Sequence, residues 1–367
     1  MRKYRFILVI FLFSLLFFCT ISLSAQVPID SLKLNHIQVF PIIARSVETD
    51  WSFGAAASAT FHLSKTDTVT RTSNIQALAL YSLKKQLVVA VNGAAYWPKE
   101  KYIANYQLSY SSFPDKFWGL GRNAPDSNQE SYSFQQYYVY LHMLRNLGNN
   151  FFAGGLLEIQ QLIKVDYLHG GLFDKQNVTG RNGYFISGLG GSLTYDDRKD
   201  AFAPDKGTFV QVYFNHFNKI FGSTYNYTNL VVDARKYFRM YKEQVLALQF
   251  YNFNNLGDSV PLRSLATFGG SGSMRGFYDG RYRDKNQLII QAEYRIPLIK
   301  RLGVTFFGSF GDISHYMFDY SFSSLKYAYG AGLRFAINKS EKLNLRLDYG
   351  IGQNRNDELY FQLGEAF

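Results

Sequence analysis

The chain has 367 residues, 17% of them aromatic with 28 Tyr and 33 Phe, yet its mean hydropathy is only -0.15. That combination argues against a soluble enzyme, because it arises when lipid-facing and water-facing residues alternate and the average hides both. The formal charge of +11 is spread along the sequence without a basic run or stripe, which argues against a nucleic-acid partner.

The chain opens on Arg2, Lys3 and Arg5, followed by an apolar run over 6–18 and small residues over 22–25. This is the pattern of a signal peptide, 1–25, cleaved before Gln26. Removing its three basic residues leaves about 11 − 3 = +8. The single cysteine, Cys19, falls in this leader after Phe18, a poor context for lipidation, so disulfide and thiol chemistry are not expected. Residues 26–34 form a short periplasmic segment with no room for a domain, and 35–367 form the body of the protein.

No later stretch reaches the ~20 apolar residues of a spanning helix. Alternating segments instead fill the chain. They lie at 35–46, 50–63, 72–84, 86–97, 101–113, 132–146, 151–166 and 184–197, then at 207–218, 224–240, 243–256, 286–298, 302–315, 326–338, 342–353 and 358–367. The expected fold is all-β, a transmembrane antiparallel barrel of about 16 strands, an even number as such barrels require. The clearest segment puts Leu343, Leu345, Leu347, Tyr349 and Ile351 on one face, and Asn344, Arg346, Asp348, Gly350 and Gly352 on the other. In 326–338, Tyr327, Tyr329, Leu333 and Phe335 share the outward face, with Gly330, Gly332 and Arg334 inward. The first strand contains Pro41, which removes one ladder hydrogen bond. The last strand carries Leu359, Phe361, Leu363 and the final Phe367 on one face.

The connections alternate in length. Those at 98–100, 147–150, 241–242, 299–301 and 339–341 are short, whereas 114–131, 167–183, 257–285 and 316–325 are long. Short periplasmic turns and longer external loops are the expected asymmetry.

The longest loop holds Phe268-Gly269-Gly270-Ser271-Gly272-Ser273-Met274-Arg275-Gly276-Phe277-Tyr278-Asp279-Gly280. Its glycines allow sharp bends and close approach, and Arg275 is placed to enter the lumen and pair with a carboxylate. The following strand presents Gln287, Gln291, Glu293 and Arg295 inward. An earlier periplasmic turn carries Asp197, Arg198, Pro204 and Gly207.

Taken together, the Arg275-Gly276-Phe277 loop, the Asp197-Arg198…Pro204…Gly207 turn and the terminal strand ending in Phe367 resemble the bacterial surface antigen family. This is the BamA/TamA superfamily of outer-membrane assembly and translocation barrels, of the outer membrane protein 85 type. The resemblance covers the whole mature chain. It implies that the long loop folds back into the lumen, where Arg275 pairs with carboxylates on the strands at 286–298 and 302–315. Glu293 occupies the expected position on the first of these. On the second, Ser309 stands where the family has an Asp, and Asp312 lies near the rim, so Asp348 is the alternative second partner. With only 26–34 ahead of the first strand, a member without the family's periplasmic POTRA domains is expected.

The resemblance also implies a function: insertion or translocation of polypeptide, or of lipid, at the outer membrane, with lateral opening between first and last strands. Expected partners are outer-membrane lipid, lipopolysaccharide, client outer-membrane proteins and a separate periplasmic protein. A passive diffusion channel is the alternative. No enzyme activity, cofactor or metal is expected. The histidines His36, His62, His142, His169, His216 and His315 are scattered, and none falls in a Gly-x-Ser-x-Gly or His-Glu-x-x-His pattern. His142 faces the lumen without an evident Ser or Asp partner. The sequon at Asn177-Val178-Thr179 is read as chance.

Overall fold

Strict alternation forces one face of each segment toward hydrocarbon and the other toward the interior, and a curled antiparallel sheet satisfies both. The computed structural model describes residues 33–46, 50–64, 67, 70–200, 203–299, 301–338 and 343–367. The leader 1–25 and nearly all of segment 26–34 lie outside the described residues.

The wall strands are β1 (Lys33–Ser46), β2 (Asp50–His62), β3 (Ser73–Ser82), β4 (Leu87–Tyr96), β5 (Tyr102–Phe117), β6 (Glu130–Gly148), β7 (Phe151–Tyr167) and β8 (Tyr184–Asp196). They continue as β9 (Gly207–Phe217), β10 (Tyr227–Arg239) and β11 (Val245–Leu256). Two short strands, β12 (Ala266–Phe268) and β13 (Tyr282–Asp284), pair only with each other and belong to the long loop. The wall resumes with β14 (Asn286–Ile299), β15 (Leu302–Ser314), β16 (Lys326–Asn338), β17 (Leu343–Gly352) and β18 (Asn356–Leu363). Every wall strand pairs antiparallel with its neighbour in sequence, giving one 16-stranded sheet. The long glycine-rich loop is therefore partly a hairpin.

Side chains follow the alternation. On β16 and β17, Tyr327, Tyr329, Leu333, Phe335, Leu347 and Tyr349 are exposed on the outer face, while Arg334, Arg346 and Asp348 are buried on the inner one. No helix among the described residues is long and apolar enough to cross a membrane.

The two ends of the barrel differ. At the end with the short connections (the turn end), Arg71 donates to both carboxylate oxygens of Glu100 at 2.7 Å and to Asp196 at 2.5 Å, joining three turns across the mouth. At the other end (the loop end), a helical turn α1 (Leu172–Lys175) carries Phe173 into an apolar core. That core gathers Phe117, Tyr132, Leu162, Phe217 and Leu262 from β5, β6, β7, β9 and the long loop. It joins the loop ends of β5 to β10 to the long loop.

The sheet order begins at β1 and ends at β18, and among the described residues no ladder joins the two. β18 is only 8 residues long against 14 in β1. Gly364, at φ +84°, turns the chain off the strand, and Phe367 lies buried against Tyr237 of β10 and Ala247 of β11. Phe367 therefore does not share the outer face of Leu359 and Phe361, which are exposed. The left-handed glycine ends the alternation three residues before the final phenylalanine.

Candidate functional site in the lumen

The register of β14 to β18 stacks inward positions in rows. One row aligns Glu293, Phe307, Gly330 and Gly350. The next aligns Arg295, Thr305, Gly332, Asp348 and Tyr360. Below it Arg334 stands opposite Arg346. The glycines leave space beside the charges. An added Cβ on Gly350 would lie 2.5 Å from the main-chain carbon of Arg275, so only glycine lets the loop backbone rest on the wall there.

The tip of the long loop fills that space. Arg275 Nη2 donates to Glu293 Oε2 at 2.6 Å and Nη1 donates to Asp348 Oδ2 at 2.5 Å. All three side chains are essentially excluded from solvent. The guanidinium carbon lies 3.6 Å from the centre of the Phe307 ring, so the cation is also stacked. Gly276 N–H donates to Tyr360 Oη at 2.9 Å, and that hydroxyl donates to the Phe277 carbonyl at 3.0 Å. Phe277 packs with Phe268, Met274 and Tyr282 in a small buried core. The loop tip thus touches β14, β15, β17 and β18 together.

The carboxylates are shared. Arg295 Nε donates to Glu293 Oε1 at 2.7 Å, and Arg334 Nη1 to Asp348 Oδ1 at 2.5 Å. Arg334 Nε donates to Glu365 at 2.7 Å. Arg346 Nη1 lies 3.4 Å from Asp348. Arg275 therefore enters a cluster of alternating charge rather than an isolated pair, which is how buried ions offset their desolvation.

The remaining sequence candidates fall elsewhere. Ser309 is not a partner of Arg275: its hydroxyl donates weakly to the Ala328 carbonyl at 3.4 Å, one row nearer the loop end. Asp348 holds the second position. Asp312 is buried, accepts from Ser321 N–H and Ser324 Oγ at 3.0 Å each, and pairs with Arg122 at 3.1 Å. Arg198 chelates Asp196 at 2.8 and 3.1 Å, Asp197 accepts from Thr208 N–H, and Gly207 has φ +115°. Pro204 offers its carbonyl to Arg295 Nη1 at 3.3 Å, and Arg295 Nη2 donates to the Phe367 oxygen at 2.9 Å. The turn motif and the chain's last residues thus meet below the loop anchor.

Sequence reasoning missed a second hold on the same loop. Asp115 of β5 accepts from Tyr132 Oη at 2.7 Å, Arg283 Nη2 at 2.8 Å, Arg263 Nη1 at 3.1 Å and Tyr278 Oη at 3.1 Å. Three of those donors belong to the long loop. Burial acts against the charge of the Arg283 guanidinium, but Tyr132 and Asp115 outweigh it and hold the group above its ordinary value. Nothing in the period of β5 marks Asp115, because its partners in the long loop lie about 150 or more residues away. His142 also has a partner: its Nε2 lies 2.7 Å from Ser192 Oγ across the lumen side of Gly154. No carboxylate hydrogen-bonds that ring among the described residues, so the contact satisfies two buried groups rather than composing a catalytic triad.

A family model described as the Omp85 superfamily domain matches residues 52–367. No curated protein matches the chain. Among solved structures the chain is similar to BamA from Haemophilus ducreyi lacking POTRA domains 1–3, with TM-score 0.54 and 13% identity, covering 89% of this chain and 69% of that one. It is also similar to CdiB from Acinetobacter baumannii, with TM-score 0.57 and 10% identity, covering 91% of this chain and 59% of that one. The chain spans about three fifths of the CdiB chain, and at these identities the likeness is one of fold.

Proposed function

The chain belongs to the Omp85 superfamily, and from that premise we propose that it inserts or translocates polypeptide, with lipid as a second class of cargo, at the outer membrane. It is an integral outer-membrane β-barrel. The observation that carries the reading is Arg275 held between Glu293 and Asp348 while Tyr360 of the last strand grips the neighbouring Gly276 and Phe277. Three consecutive loop residues, Arg275, Gly276 and Phe277, thereby tie the lumen plug to β14, β17 and the strand that borders the seam.

On this reading the turn end faces the periplasm. The short β18 and Pro41 in β1 make the seam the weakest part of the wall, and a change at the loop anchor is felt there first. The chain supplies no energy source, so cargo moves by exchange of strand pairing and hydrophobic burial. A leader at 1–25 and a periplasmic partner that delivers clients complete the proposal.

Quantitative proteomics of the outer membrane in cells lacking the protein tests it. A defined subset of barrels or surface proteins should fall. An unchanged set of outer-membrane proteins would rule out polypeptide as the cargo.

The second reading, a diffusion channel, draws on a polar lumen cavity of about 460 Å³ lined by Gln107, Tyr138, Glu158, Tyr213 and Asn229. Planar-bilayer conductance separates the two: a large steady current through the intact protein favours the channel.

A further inference from the structure

The outer wall carries a depression that the lumen anchor does not require. Along one outward row the register aligns Thr208, Lys236, Leu248, Ala292, Gly308 and Tyr329. The row toward the loop end places Phe250, Ile290, Phe310 and Tyr327 side by side. The row toward the turn end places Phe238, Leu246, Tyr294 and Phe306. Small Ala292 and Gly308 leave a floor beneath the loop-end rank, and a groove of about 660 Å³ results, walled by Phe250, Ile290, Phe310 and Tyr327 and running past Val210 and Ala234 to Lys236 and Thr208. A Cβ built on Gly308 meets nothing within 4 Å, so this glycine is not there to accommodate a neighbour in the wall.

One end of the groove is charged. Lys236 is exposed on the outer face, three residues before the end of β10 at Arg239, beside Thr208, the second residue of β9. Its described contacts are neutral: Nζ donates to Thr208 Oγ1 at 2.7 Å and lies 5.8 Å from the Phe238 ring centre. An ammonium has three donors, and a hydroxyl takes one. Gly308 stands six residues inside the turn-end start of β15 at Leu302, so the groove climbs from the charge into the wall.

We propose that this groove binds a phospholipid, its phosphate on Lys236 and Thr208 and one acyl chain across Ala292 and Gly308. The wall is surrounded by lipid, so an apolar depression is filled by hydrocarbon, and a flexible chain follows a curved floor where a rigid side chain would not. The cation at the turn end then selects the anionic headgroup and sets the direction in which the chain lies. The assignment does not depend on the proposed transport function, since it uses only the outer face.

The test uses the full chain refolded in detergent, with phosphatidylglycerol added and retention followed by native mass spectrometry. The wild-type protein should keep a lipid adduct through delipidation. Lys236→Gln should lower retention roughly fivefold, the factor expected for one basic residue near a headgroup. Gly308→Phe, which fills the floor without a clash, should abolish it, and Leu193→Phe, exposed elsewhere on the wall, should leave it unchanged. Unaltered heat-modifiable migration on a gel confirms that each variant is folded. Retention insensitive to both groove variants would overturn the proposal, as would displacement of phosphatidylglycerol by equimolar lipid A.

Discussion

Arg275 is the residue on which most of the lumen depends. Breaking a buried ion pair by removing one partner costs about 3–5 kcal/mol, because the other charge stays buried. Here Glu293 retains Arg295 and Asp348 retains Arg334, so Arg275→Ala is expected at the lower end, about 3 kcal/mol. Urea unfolding of the refolded protein would measure it. Arg275→Lys should recover only part of the loss, since a point charge cannot bridge two carboxylates and stack on Phe307 as a planar guanidinium does. Ser309→Ala should change stability by less than about 0.5 kcal/mol, because that hydroxyl makes one weak contact, to the Ala328 carbonyl and not to Arg275. Asp115→Asn should act at the loop end. It leaves Arg263 and Arg283 without their shared carboxylate, and trypsin cleavage at these arginines should accelerate at least tenfold while the wall strands stay protected.

At the scale of elements, the loop works because two backbones touch. Gly276 has φ +123°, and a Cβ there would lie 2.5 Å from Gly352 N of β17. Gly276→Ala should therefore release the loop tip with every charged partner still present. Enhanced proteolysis within 269–280 and an intact wall would be the observed result. If the loop stayed protected, backbone contact would not be what seats it. The wall itself was legible in the sequence: alternation located the strands and placed Tyr327, Leu347, Arg334 and Asp348 on their faces. Glu293 and the alternative partner Asp348 were named from the family resemblance, and alternation added only that both face inward. Asp115, Tyr360 and Glu365 were not legible, since their roles come from cross-lumen distances that no local period encodes. The hairpin of β12 and β13 was hidden for the same reason: strands of three residues are too short to show alternation. The end of β18 was misjudged because Gly364 adopts a left-handed conformation that the pattern of apolar residues does not reveal.

At the scale of the molecule, both mouths are tied across by contacts between distant strands. Arg71 spans the turn end, and the core around Phe173 spans the loop end. Conductance of the intact protein in planar bilayers should accordingly be small, and deletion of residues 269–280 should raise it several-fold. The anchor, the seam strand and the chain's last residues meet in one charged cluster, so the account holds that loop seating and transport are a single property. The most direct test is to supply a strain lacking this protein with the wild-type chain, Arg275→Ala or Ser309→Ala, at matched outer-membrane levels, and to quantify the outer-membrane proteins. The wild-type and Ser309→Ala chains should restore the missing set, and Arg275→Ala should not. Full restoration by Arg275→Ala would contradict the coupling of loop seating to transport.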